Sequence, residues 1–210
     1  MNRPADLRVW RWAAGPASAV LALGALTLAV SVRDPLPGED ALARRLVVGN
    51  GPWQDVWAGV ATATDLLPLV VVATVGALGL VTVGRWKTAL AALGSCAVVW
   101  LVNPALKALV ARSRPDVAAL PGHLSEHSFP SGHAANSAVV VGAAVLIVAS
   151  WRGTHRIVSL ALGAVTLIVV ATAQLALGRH YPSDIVAGWL LAAAVLATAA
   201  GLMRSTDDFR

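Results

Sequence analysis

Residues 179–204 read RHYPSDIVAGWLLAAAVLATAAGLMR, a polar cluster followed by 19 uncharged residues (185–203) and closed by Arg204. As a helix, a run of that length crosses ~30 Å of hydrocarbon. The polar residues at its start then mark where it meets water. The same pattern, an apolar run bounded by charge, recurs along the chain. The 210 residues are 57% hydrophobic and only 13% charged, with a mean hydropathy of +0.71, so the balance is that of a membrane protein rather than a soluble domain.

Six spans are expected, at about 13–32, 66–84, 88–106, 134–150, 157–177 and 185–203. They predict an all-α, six-transmembrane-helix bundle forming one integral-membrane domain over 1–210, with a motif core at about 107–184. The first run follows Arg3, Arg8 and Arg11 and, at about 20 residues, exceeds a signal-peptide core; no A-x-A cleavage pattern follows, so a retained helix is expected. Arg85, Trp86 and Lys87 form a tight basic turn that makes the second and third spans an antiparallel pair. Arg33 to Asp65 is the longest polar interval and contains the breakers Pro35, Pro37, Gly38, Gly51 and Pro52. Within it Trp53, Val56, Trp57 and Val60 follow i, i+3, i+4, i+7 spacing, which suits either a helix on the membrane surface or the first turns of the next span. Abundant alanine and glycine permit close helix packing.

The net charge of +5 is not gathered into a basic stripe with interleaved aromatics, so nucleic acid is not an expected partner. The cations sit at the ends of the apolar runs. Nine fall on the side of the termini and seven on the other, four of those seven in or beside the motifs. This predicts cytoplasmic termini at a plasma membrane and a motif-bearing face turned outward. Trp10, Trp12, Trp86 and Trp151 suit an inner interfacial belt, and Trp53 and Trp57 an outer one. Cys96, the only cysteine, excludes an intrachain disulfide and a cysteine zinc cluster.

Three clusters carry the chemistry. Lys107 ends the third span and Arg114 follows before Pro115, a point charge and a planar fork that can both grip phosphate oxygens. Snorkelling toward headgroups accounts for such cations equally well, and Arg112 between them is read that way. Pro130, Ser131, Gly132 and His133 open the fourth span, where free N–H groups and the helix dipole favour an anion. Ser131 suits the N-cap, Gly132 allows close approach to the backbone, and His133 could donate a proton to a leaving oxygen. A capped helix with an incidental histidine is the plainer alternative. His180 and Asp184 stand four residues apart at the start of the last span, a spacing that can set a carboxylate against an imidazole and fix its tautomer. No H-E-x-x-H or comparable ligand set accompanies them, so neither a metal nor another cofactor is expected. Asp116, His123, Glu126 and His127 are weaker candidates in the loop between the first two clusters.

In order and spacing the three clusters resemble the type 2 phosphatidic acid phosphatase family, which includes membrane lipid phosphatases and soluble vanadium haloperoxidases. K-x6-R-P is met by Lys107, Arg114 and Pro115, P-S-G-H by Pro130 to His133, and H-x3-D by His180 and Asp184. The resemblance implies that His180 attacks phosphorus to form a phosphohistidine, that Asp184 holds its imidazole and that His133 protonates the leaving oxygen. It also implies that Lys107, Arg114, Ser131 and the Gly132 N–H stabilise the oxyanion. One position departs from the pattern: the family's serine and arginine before the histidine are here Ala173 and Gln174, and a glutamine brings no charge. Arg179 is the candidate replacement cation.

The expected function is hydrolysis of a lipid phosphomonoester or diphosphate, of the polyprenyl diphosphate or phosphatidic acid type. The alternatives are a lipid phosphotransferase and a non-catalytic lipid-phosphate binder or transporter.

Overall fold

The computed structural model describes residues 5–48, 51–117, 125–148 and 154–207, with side chains described from 14 to 203 within those stretches. The described residues form eight helices and no strand: α1 (Ala5–Val32), α2 (Glu39–Leu46), α3 (Pro52–Ala63), α4 (Leu66–Thr82), α5 (Trp86–Val110), α6 (Gly132–Val148), α7 (Thr154–Ala176) and α8 (Pro182–Asp207). Each of the six expected spans falls on one helix. Four are long and apolar enough to cross a membrane by themselves: Ala14–Val32, Trp86–Val110, Thr154–Ala176 and Pro182–Met203. A fifth span arises if α3 and α4, bent by 48° at their junction, count as one broken span. Helix α6 is apolar but has 17 residues, and at 1.5 Å per residue reaches only about 25 Å.

The polar interval holds two helices where at most one was expected. Helix α2 was not foreseen: Pro35, Pro37 and Gly38 read as a loop, yet Glu39 and Asp40 open a two-turn helix whose last turn carries Arg44 and Arg45, complementing its dipole at both ends. Helix α3 is separate from α4 but leads straight into it, with Thr64 and Asp65 at the bend.

Helices α6 and α8 pack along each other at the centre; α1 and α5 lie against α8, and α7 lies against α6. Small residues set these distances. A Cβ on Gly188 of α8 would come 2.8 Å from the Ser131 carbonyl oxygen and 2.9 Å from the Ala135 nitrogen, so only glycine lets the two helix starts meet. Around this contact Cys96, Val99, Ala135, Ala138, Val139, Leu191 and Ala192 form the core. The outward faces carry exposed Leu21, Leu67, Leu101, Ile157 and Leu162, the surface a bilayer would cover. Trp53 and Trp86 are also exposed, as membrane-interface residues should be, whereas Trp57 is half-buried. The side chains of Trp10 and Trp12, and Trp151 itself, lie outside the described residues.

Candidate active site

Chain reversals bring the three clusters to one end of the bundle. Lys107 lies in the last turn of α5, Gly132 and His133 begin α6, and Asp184 lies in the first turn of α8. Gly178, with φ +62, ends the α7 segment and turns the chain toward Arg179 and His180; a Cβ there would run into Val117 and Val47. A cavity of about 180 Å³ opens at this end. Lys107, Arg114, Gly132, His133 and His180 line it, joined by Thr64, Asp65 and Leu66 from the α3–α4 bend, Ser125, and Asn136 one turn beyond His133.

His180 Nδ1 lies 3.4 Å from Asp184 Oδ2, a long contact. The carboxylate is fixed more firmly than the imidazole. Its Oδ2 accepts the Tyr181 N–H at 2.9 Å and its Oδ1 accepts Arg112 Nη1 at 2.6 Å, and it is wholly buried. Burial pushes the His180 imidazole down to about 4; Asp184 opposes that shift, while Lys107 and Arg114 add to it. At neutral pH the ring is therefore uncharged. With Nδ1–H turned to Asp184, the lone pair lies on Nε2. Because protonation removes that lone pair, the acid limb that His180 contributes to kcat/KM is expected near pH 4. The profile must first be corrected for the substrate's own second ionisation near pH ~6. An enzyme-borne acid limb at pH 6 or above would rule out a neutral, buried His180.

The cations are held by main-chain oxygens. Lys107 Nζ donates to the carbonyls of His127 at 2.8 Å and Ser128 at 3.2 Å, which uses two of its three protons. Arg114 Nε donates to the Ser125 carbonyl at 2.9 Å and Nη1 to that of Arg179 at 2.5 Å. Burial lowers the Arg114 pKa, with Asp184 acting in the opposite direction. These bonds pin the segment before α6 over the cavity and orient both charges toward it. His133 Nε2 lies 2.9 Å from Asp65 Oδ1, an ion-pair distance whose alignment falls short of a hydrogen bond. Ser131 is fully buried and works as a cap: its Oγ accepts the Ala134 N–H at 3.4 Å, and its own N–H donates to the Asp184 carbonyl at 2.9 Å. It does not line the cavity, whereas Gly132 does.

The two positions around the departed family arginine behave differently from the expectation. Gln174 is fully buried, neither of its amide atoms has a hydrogen-bond partner, and it does not line the cavity. Arg179 is not among the lining residues either; its carbonyl accepts from Arg114, while its guanidinium charge acts on the site through Asp65, His133 and Arg114. Of the loop candidates, Asp116 and Glu126 are exposed, His127 contributes its carbonyl, and His123 lies outside the described residues.

Arg112 corrects the sequence reading. Instead of snorkelling it is 3% exposed, turned inward after Ala111, whose φ of 50 is a left-handed conformation rare for alanine. Its Nε donates to Asp34 at 2.7 Å, Nη2 to Glu39 at 2.7 Å, and Nη1 to both Ser183 at 2.7 Å and Asp184 at 2.6 Å. The guanidinium lies 4.3 Å from the centroid of the Tyr181 ring, whose hydroxyl donates to Asp40 at 2.9 Å. Burial opposes its charge, but Asp184, Asp34 and Glu39 outweigh that and hold its pKa above the usual arginine value. Asp34, Glu39 and Asp40 were missed because nothing local distinguishes a carboxylate that closes a distant network from one that is solvated. Asp65 and Asn136 were missed for the same reason.

The chain is 27% identical over 202 residues to phosphatidylglycerophosphatase B of Bacillus subtilis (strain 168), an alignment covering 93% of this chain and 98% of that protein. Its fold is similar to the crystal structure of a transmembrane PAP2-type phosphatidylglycerolphosphate phosphatase from Bacillus subtilis. That match has a TM-score of 0.78 and 27% identity, and it covers 93% of this chain and 99% of the other. Residues 88–206, which hold all three clusters, match the PAP2 superfamily. The chain therefore belongs to the PAP2 superfamily, as a membrane-embedded phosphoric ester hydrolase.

Proposed function

We propose that this protein hydrolyses a lipid phosphomonoester through a phosphohistidine, and that its six apolar segments all traverse the membrane with the cavity at the outer face. The observation that carries the proposal is the convergence of a neutral histidine backed by Asp184, a second histidine and two half-buried cations on one cavity at a single bundle end. His180 Nε2 attacks phosphorus while the bond to the leaving oxygen breaks, and His133 gives that oxygen its proton. Lys107, Arg114 and the backbone at Gly132 stabilise the charge on the equatorial oxygens, the main task in phosphoryl transfer. His133, now neutral, takes a proton from water as the water attacks phosphorus. The P–N bond then breaks, phosphate leaves and both histidines are restored.

A lipid substrate suits this position because its headgroup can reach the cavity while its tails stay in the bilayer. Phosphatidylglycerophosphate heads the candidates, since both similar proteins are named for it; phosphatidic acid and a polyprenyl diphosphate such as undecaprenyl diphosphate follow. The test is phosphate release in detergent micelles from these three lipids, with and without EDTA. Release from at least one, undiminished by the chelator, is expected. No release from any lipid, or transfer of the phosphoryl group to an added alcohol in place of water, would overturn the hydrolase assignment.

A further inference from the structure

Helix α2, eight residues long and outside the apolar segments, lies along the loop that carries the nucleophile. Glu39 Oε1 accepts the Ser183 N–H at 2.9 Å, and Asp40 Oδ1 accepts the Tyr181 hydroxyl at 2.9 Å. Past the end of the helix, Val47 lies where a Cβ on Gly178 would strike it, and the Val48 N–H donates to the Ala176 carbonyl at 2.9 Å. Residues 39–48 therefore run as a strap, in the opposite direction, beside residues 176–183. The strap also bears on charge. Arg112 Nη1 donates to Asp184 Oδ1 at 2.6 Å, which sets a full positive charge against the carboxylate that backs His180. On its far side the same guanidinium meets Glu39 Oε2 at 2.7 Å and Asp34 Oδ1 at 2.7 Å.

From this arrangement we infer that Glu39 is a positioning residue for the reaction: it offsets the Arg112 charge, so that Asp184 faces His180 as an effective anion, and it fixes the Ser183 N–H at the start of the helix that carries Asp184. The inference rests on the phosphohistidine reading above. When Nε2 bonds to phosphorus while Nδ1 keeps its proton, the imidazole becomes cationic. Asp184 favours that charge, and an uncompensated cation behind Asp184 opposes it. Lys107 and Arg114 already oppose positive charge on His180, so the Asp184 side has to supply the balance. Glu39 is 8% exposed and its hold on Arg112 is little screened, whereas the Asp34 side chain is 37% exposed and counts for less. Glu39 does not line the cavity; it acts through Arg112, Asp184 and the α8 start.

The test is a single turnover in detergent micelles, below the inactivation midpoint of each protein and quenched in alkali at successive times. The labelled substrate is whichever of phosphatidylglycerophosphate, phosphatidic acid and undecaprenyl diphosphate the unmutated protein hydrolyses fastest. Glu39→Gln, nearly isosteric, should slow formation of the phosphoenzyme on the order of 10-fold or more per chain that takes up label, with KM unchanged. It should not slow breakdown, because the imidazole loses its positive charge in that step. Asp34→Asn, at an exposed position, should slow formation by a smaller factor, and it carries the comparison if Glu39→Gln does not fold. Formation and breakdown slowed equally, or both unchanged in both variants, would mean that the strap serves stability alone, overturning this inference and leaving the hydrolase reading intact. No phosphoenzyme from the unmutated protein would overturn the phosphohistidine reading and this inference with it.

Discussion

Replacement of His180 by alanine is expected to lower phosphate release by ~10⁴- to 10⁶-fold, the loss seen when a nucleophile is removed from a site whose remaining groups still bind substrate. The size of the effect follows from the division of labour. Lys107, Arg114 and Gly132 can stabilise charge, but none can form the covalent intermediate, so water would have to attack the lipid phosphate directly. The fold should survive. His180 makes a single long polar contact, at 3.4 Å to Asp184, and that carboxylate keeps its bonds from Arg112 and the Tyr181 N–H. Unmutated enzyme quenched in alkali after mixing with labelled lipid should carry one phosphoryl group per chain, and the alanine variant none. A His180→Ala protein that retained a tenth of the activity would transfer the nucleophile's role to another residue.

The part of this site that was legible in sequence is the part built from local spacing. His180 and Asp184 meet because four residues make one helical turn, and Ser131 to His133 sit at a helix start because Pro130 ends the loop there. The apolar runs gave the helix positions for a similar reason, since length and the absence of charge are properties of a segment alone. What sequence could not give was contact between distant segments. Arg112 meets Asp34 and Glu39 across 78 and 73 residues, and Asp65 reaches His133 only because α3 and α4 bend. Gln174 shows the opposite error. Its position in the pattern implied a place at the phosphate, but its side chain is buried away from the cavity lining.

Arg112→Leu is expected to destabilise the protein by ~3–5 kcal/mol, the usual cost of removing one partner from a buried ion network. The reason is the number of charges it leaves behind. Asp184 is wholly buried and Glu39 nearly so, and each would keep a carboxylate without its counter-ion; Asp34, more than a third exposed, can turn to water and adds little. At roughly 2–4 °C per kcal/mol for a chain of this size, the inactivation midpoint in detergent should fall by about 10 °C. Arg112→Lys should recover only part of the loss, because one ammonium cannot meet Asp34, Glu39, Ser183 and Asp184, which the guanidinium fork reaches together. Activity should fall below the inactivation midpoint as well, since Asp184 orients the nucleophile and would lose its strongest restraint. Arg114→Leu provides the contrast: its partners are carbonyls and a hydroxyl at the cavity edge, so it should cost more in rate than in stability. Equal inactivation midpoints for Arg112→Leu and the unmutated protein would show that the network around α2 adds nothing to stability. The division would then have to be redrawn, with Arg112 holding the nucleophile's carboxylate for the reaction alone.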